Sequence, residues 1–197
     1  MTGAISRRSG YHHGDLRNSL ERAALELVGE RGANGFTMAE ASRRAGVSVA
    51  APFKHFASRE ALLASLALKG YEEQERRFAA AIAISADPVQ QLAEFASAYV
   101  QFTVDEAALF EITFSSGIDK ANHPELEVAG AKVLDLLTAP AQALRKDGAS
   151  SLALVHAIGA VAHGYGEFLR QGVFGSGTNA IRLAKENARA SARKLAT

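Results

Sequence analysis

An all-α chain, with a three-helix head followed by a helical bundle, is what three features of the sequence predict. Apolar residues recur at three- and four-residue steps along most of its length, Ser, Thr or Asp caps precede several of these runs, and no period-two alternation lasts long enough for a strand. At 197 residues the chain can bury a sizeable core, and its 48% hydrophobic content suits a globular protein of one or two domains.

The first stripe lies in residues 15–31, where Leu16, Leu20, Ala23, Ala24, Leu27 and Val28 share a face and Arg17, Glu21, Arg22 and Glu26 stay wet. Gly32 and Gly35 end that helix. Thr37 and Glu40 then form a capping box, so a short helix begins at Met38; Gly46 supplies the left-handed backbone that stops it after Ala45. Ser48 offers a new N-cap, predicting a second helix over residues 49–56, although Pro52 at its fourth position would remove the first internal amide bond and move the start toward Ala51. Ser58 caps a third start, with Arg59 and Glu60 in its first turn. Three short helices at steep angles joined by a tight turn are what a helix entering a DNA major groove requires.

Behind the head, the Ser58 helix meets no Pro as it passes Leu66, Tyr71, Phe78 and Ile82, so it should be long and should link head to body. Asp87-Pro88 reads as an N-cap followed by Pro at the first helical position, opening a helix that carries Leu92, Phe95, Ala96, Tyr99 and Phe102. Further helices are expected at about residues 106–114, from Pro124 with a kink or break near Ala139 caused by Pro140, and over 152–171 and 179–195.

The residues Thr37, Glu40, Arg43, Arg44, Ala45, Gly46, Val47, Ser48, Phe53, His55, Phe56, Ser58, Glu60, Ala61 and Leu62 give the head a pattern that resembles the tetracycline-repressor (TetR) family. The opening Tyr11-His12-His13-Gly14-Asp15-Leu16-Arg17 is similar to one branch of that family, as are Phe114, the loop over 115–122 and His123-Pro124-Glu125-Leu126. The resemblance implies a basic N-terminal arm at 1–14, a helix-turn-helix DNA-binding domain at 15–62 and a helical effector-binding and dimerisation domain at 63–197. It also implies a cytoplasmic, ligand-responsive transcription regulator, a repressor rather than an activator, that binds a palindromic operator on double-stranded DNA as a homodimer and is released by a small molecule.

By the same resemblance Thr37, Ser48, Lys54, His55 and Arg59 contact phosphates, and Arg43 and Arg44 lie toward the operator. Lys54 and Arg59 are the stronger phosphate ligands because their charge is independent of pH, unlike that of His55. Base edges are left to Val49, Ala50 and Ala51, which can touch only a thymine methyl. Family members often carry a Tyr where this chain has Phe53, and the phosphate contact of that hydroxyl is absent. Phe53 and Phe56 read instead as core anchors, and sequence discrimination would lean on Arg7 and Arg8 in the minor groove and on DNA shape. Charge agrees with this division: residues 1–60 hold nine Lys or Arg against six Asp or Glu, while the remainder holds thirteen against fifteen.

For dimerisation the sequence offers Leu152, Val155, Gly159, Ala162 and Gly166 on one helix and Ile181, Ala184 and Ala188 on the next, small residues that lose helical propensity and gain close approach. Phe95, Tyr99, Phe102, Phe110, Phe114 and Phe168, with Thr103, His156 and His163, are the candidates for an apolar or aromatic effector pocket. Each is equally a residue of an ordinary core.

Other classes fit poorly. Gly46-Val47-Ser48-Val49-Ala50 approaches a nucleophile elbow, but that device needs a preceding strand with His and acid in reach. His156 and His163 lack the Cys or carboxylate partners of a zinc site, no phosphate-cradling loop is present, and there is no cysteine. No enzyme activity, metal or cofactor is expected. The 1–10 segment lacks a signal-peptide core, and no run of about 18 apolar residues occurs, so neither export nor a membrane anchor is expected. The competing reading is a helical small-molecule or protein-binding module that has lost operator reading, which Val49-Ala50-Ala51-Pro52 would permit.

Overall fold

The computed structural model describes residues 13–197. Among them lie nine α-helices and no strand. The head contains α1 (His13–Arg31) and α2 (Met38–Arg44), with a one-turn 3-10 helix at Pro52–Lys54 and the start of α3 (Arg59–Ile82). The body adds α4 (Pro88–Asp105), α5 (Ala107–Ser115), a second 3-10 turn at Lys120–Asn122, α6 (Pro124–Asp135), α7 (Thr138–Leu144), α8 (Gly148–Arg170) and α9 (Gly177–Ala196). The segment carrying Arg7 and Arg8 lies outside the described residues.

Local chemistry sets these boundaries. Gly32 adopts φ 81° and closes α1, while Gly46 at φ 71° closes the turn after α2. Thr37 accepts the Glu40 amide at 3.3 Å and the Glu40 carboxylate accepts the Thr37 amide at 2.8 Å. Ser58 caps α3 and Asp87 caps α4, with Pro88 at the first helical position. The interruption between α6 and α7 falls at residues 136–137, before the expected site at Ala139. Had α6 continued, the Pro140 ring would strike the carbonyl four residues back; after the break it occupies the first turn of α7, where a missing amide leaves no bond unmade.

A single apolar cluster runs from head to body. In the head, Leu20, Leu27, Phe56 and Leu62 are buried together. Glu21, 2% exposed, is satisfied by Arg17, Ser65 and Lys69, which tie α1 to α3. In the body, Phe78 meets Phe95 edge-on at 5.0 Å and Phe102 at 5.9 Å, locking α3 against α4.

α4 is packed between α8 and α9. The stripe Ala180, Ala184, Ala188, Ala192 and Ala196 is fully buried, and Arg189 holds Glu94 of α4 through contacts of 2.8–3.2 Å. Lys185 reaches Gln101 at 2.8 Å and Arg193 reaches Gln90 at 2.9 Å on the same helix. This corrects the expectation that α9 offers its alanines to a second chain. Ala184 and Ala188 are used inside one protomer, as are Val155, Ala162 and Gly166 of α8. A Cβ at Gly166 would fall 2.6 Å from the Thr103 methyl, so this glycine permits the α8–α4 approach. Gly159 faces Leu134 on α6.

Gly166→Ala should therefore lower stability by about 1–3 kcal/mol through overpacking. Thr103→Ser, which deletes the obstructing methyl, should restore a large part of the loss when combined with it. Urea unfolding of the four proteins of this double-mutant cycle checks the contact.

Candidate nucleic-acid interface and ligand cavity

From the α2 cap onward the chain departs from a conventional second helix. Pro52 has no amide to return to the Ser48 carbonyl, which instead takes the Ala51 amide at 3.0 Å in a tight turn. Helical pairing begins only at the Ala51 carbonyl, which accepts from Lys54 at 3.2 Å, and the Pro52 carbonyl accepts from His55 at 2.8 Å and from Phe56 at 2.9 Å. The expected 49–56 helix is thereby reduced to a turn and a single 3-10 step at Pro52–Lys54.

This change re-aims the side chains. Pro52 and Phe56 are buried, the latter beneath the Arg17 guanidinium at 4.9 Å, whereas Phe53 is 59% exposed and Val49 57%. Phe56 is the core anchor the sequence predicts. Phe53 is not, because in so short a turn its neighbour Pro52 takes the inward position. Ser48, Val49, Ala50, Phe53 and Lys54 form one exposed surface, with Ala51 and His55 half-buried at its edge and Thr37 exposed at the start of α2.

The cations divide into two groups. Arg44 makes a two-pronged contact with Glu30, both arms 2.8 Å, and also reaches Glu26 at 3.4 Å. These carboxylates, Glu30 foremost, push its already high pKa higher. Arg59 turns inward: it donates to the Ala33 carbonyl and stacks over Phe36 at 4.7 Å. Burial pulls its pKa down. It holds the head together instead of standing ready for a phosphate as the sequence suggested. Arg43 and Lys54 are exposed and have no ion-pair or side-chain hydrogen-bond partner among the described residues.

The Ala33 amide, by contrast, joins head to body. It donates to Glu111 Oε1 of α5 at 2.6 Å, and Glu111 Oε2 lies 3.7 Å from Arg170 at the end of α8.

Within the body a cavity of about 640 Å³ is walled by Tyr71 and Gln74 of α3, Phe95 and Tyr99 of α4, Phe114 of α5, and faces of α6 and α8. A volume of this size is that of a typical small-molecule pocket. Of the residues singled out in the sequence, Phe95, Tyr99, Phe114, His156 and His163 line it. Phe102 and Phe110 are core residues, Thr103 is buried against Gly166, and Phe168 is half-exposed on the surface. Tyr99 donates to, or accepts from, His163 Nδ1 at 2.9 Å, and burial raises the Tyr99 pKa well above the phenolic range. Tyr71, Gln74, Lys120, Leu126, Glu127 and Val133 also belong to the wall and were not foreseen. One signal was legible: Gln74 is a polar residue on the apolar stripe between Tyr71 and Phe78.

A trihelical head with an exposed turn, seated on a helical bundle with an apolar cavity, defines a helix-turn-helix regulator. Comparison with known proteins agrees. The profile for bacterial regulatory proteins of the tetR family matches residues 21–66, and that for the tetracyclin repressor-like C-terminal domain matches residues 92–190, half of the chain. A protein of unknown function from Rhodococcus sp. RHA1 is 27% identical, with a TM-score of 0.75 over 96% of this chain and 100% of its own. The TetR-family regulator PfmR from Thermus thermophilus is 19% identical, with a TM-score of 0.69 over 89% and 97%. AibR, whose structure contains isovaleryl coenzyme A and operator DNA, is 16% identical, with a TM-score of 0.69 over 89% and 96%. A search among curated proteins returned no match. The chain belongs to the TetR family; it is a DNA-binding transcription regulator and not an enzyme.

The two kinds of cation predict different losses. Arg59→Ala should lower stability by about 1–3 kcal/mol, since it strips the Ala33 carbonyl of its donor and Phe36 of its cover. Lys54→Ala should stay within about 0.5 kcal/mol of the parent. Thermal melts of both variants check the assignment.

Proposed function

We propose that this regulator is a repressor that binds a palindromic operator as a homodimer and is released by an apolar or aromatic effector, acting in the cytoplasm where its DNA lies. The observation that carries this reading is the cavity, because α3 and α5 supply its wall and also hold the head. α3 begins at Arg59, whose guanidinium takes the Ala33 carbonyl, and α5 carries Glu111, which takes the Ala33 amide. A ligand that spreads these helices changes the pose of the head. Such a ligand shifts DNA affinity only to the extent that it prefers one pose.

On DNA, we assign phosphate contacts to Thr37, Ser48, Lys54 and His55, with Arg43 beside them and Arg44 contributing from its carboxylate pair. Val49, Ala50, Ala51 and Phe53 supply an apolar face that suits thymine methyls. Arg59 drops out of the contact set because it is committed elsewhere. We place the reading head at residues 15–62 and the effector and dimer body at 63–197. Since α3 is continuous across that boundary, the two units share a rigid helix.

The dimer face we assign is the outer side of α8 and α9. Leu152 is 55% and Leu183 41% exposed, and the most apolar stretch of the 23-residue α8 has a mean hydropathy of 1.2, with only a minority of it buried in one chain. So apolar a helix on a surface calls for a cover, and a second copy provides a two-fold partner for two half-sites. AibR, with operator DNA in its structure, supports the DNA-binding part of this reading. The second reading, a binding module without operator recognition, is favoured by the missing recognition helix and by the absence of any hydrogen-bonding side chain in 49–53.

Selection from random duplexes should yield a palindrome whose log Kd rises with log salt at a slope near 5, for about six phosphate contacts per dimer, and Lys54→Ala should cut that slope by about 2. Gly164→Arg, at a position with nothing within 4 Å of a Cβ, should leave the fold intact, yield a monomer on gel filtration and bind half-sites weakly. Retention of no duplex, or an affinity indifferent to salt, favours the module.

A further inference from the structure

We propose that the side-chain amide of Gln74 is the polar anchor of the cavity and that it selects a neutral hydrogen-bonding aromatic, a phenol or aryl carbonyl compound, over a carboxylate. This rests on the effector reading above and names the chemistry of that same site. Gln74 stands on α3, is 1% exposed and forms part of the cavity wall. Its Nε2 is sealed from solvent and has no hydrogen-bond partner among the described residues. Buried polar groups are nearly always paired, and a small rotation of this wall side chain lets the unpaired amide donate to a ligand that fills the cavity.

Of the other polar groups of the wall, which include the Tyr71 hydroxyl and His156, one is already paired and the two charged ones are exposed. The Tyr99 hydroxyl is already paired with His163 Nδ1. Lys120 and Glu127 are both exposed, and their opposite charges leave the wall without net permanent charge. A carboxylate pushed up to Gln74 would surrender its hydration for a neutral amide, with Lys120 exposed and offset by Glu127, an exchange that burial penalises heavily. A hydroxyl or carbonyl loses far less and gains the amide. Phe95, Tyr99 and Phe114 make this part of the wall aromatic, with Phe114 the most accessible of the three. Phe114 and His163 pack edge to face at 5.0 Å, which fixes both rings on that wall.

The test uses the full-length protein and three probes of one shape: 2-naphthol, naphthalene and 2-naphthoate, with affinities measured by calorimetry. The expected order places 2-naphthol about tenfold tighter than naphthalene, with naphthoate no tighter than naphthalene. Gln74→Leu and the near-isosteric Gln74→Met should bring the naphthol-to-naphthalene ratio close to one, while melting temperature and binding to the selected duplex stay at or above parent levels. A ratio unchanged by both substitutions overturns the anchor, as does tightest binding of naphthoate that Lys120→Ala abolishes. In either case the effector reading stands if the probes still release DNA. If no probe binds while the duplex does, the anchor and the apolar-effector reading fall together.

Discussion

One residue, Ala33, links head to body through both of its backbone polar groups. The chain reverses there at the end of α1, leaving both an amide and a carbonyl in need of partners. Glu111 of α5 accepts from the amide, and Arg59 at the start of α3 donates to the carbonyl while covering Phe36. Gly32 makes this possible twice over: its φ of 81° turns the chain, and a Cβ in its place would sit 3.0 Å from the Glu111 carboxylate. Glu111 in turn neighbours Arg170, whose guanidinium lies 5.2 Å over Phe110. Ala33 therefore references the head to α3, α5 and the end of α8, beside the Asp119 amide that donates to Glu60 and the apolar cluster that head and body share. Phe114 lies one turn beyond Glu111 and faces the cavity, so what fills the cavity and what holds the head share a helix.

The reading surface follows from a second local constraint, the missing amide of Pro52. It denies the Ser48 carbonyl its helical partner, shortens the helix to a turn, and sends Phe53 outward. With Arg44 held by Glu30 and Glu26, and Arg59 turned into the head, the charge left on this face is that of Arg43 and Lys54, beside half-buried His55. The face is apolar at its centre and cationic at its margins. It can follow a backbone and press on methyl groups, but between Val49 and Phe53 it has no side chain able to form a hydrogen bond with a base.

Most of the architecture was legible in the sequence because caps and glycines act locally. The Thr37–Glu40 box, Gly46, Ser58 and Asp87-Pro88 each fix a boundary through atoms a few residues apart. What was not legible depends on distant partners. Nothing near Arg59 in the chain announces the Ala33 carbonyl 26 residues away, and nothing near Ala184 or Ala188 announces that α4 covers them. The Phe stripe of α4 showed which face is buried but could not separate Phe95, on the cavity wall, from Phe102 in solid core. That distinction is set by how closely α6 and α8 approach. Pro52 was visible as a disturbance, yet its consequence for Phe53 emerged only with the turn geometry.

Hydrogen exchange at the Ala33 amide tests whether Ala33 docks the head onto α5. The geometry predicts slow exchange in the parent, comparable to the interior of α1, and loss of that protection in Glu111→Ala while the rest of α1 stays protected. Rapid exchange at Ala33 in the parent, or protection untouched by Glu111→Ala, would show that the head is held to the body by something else.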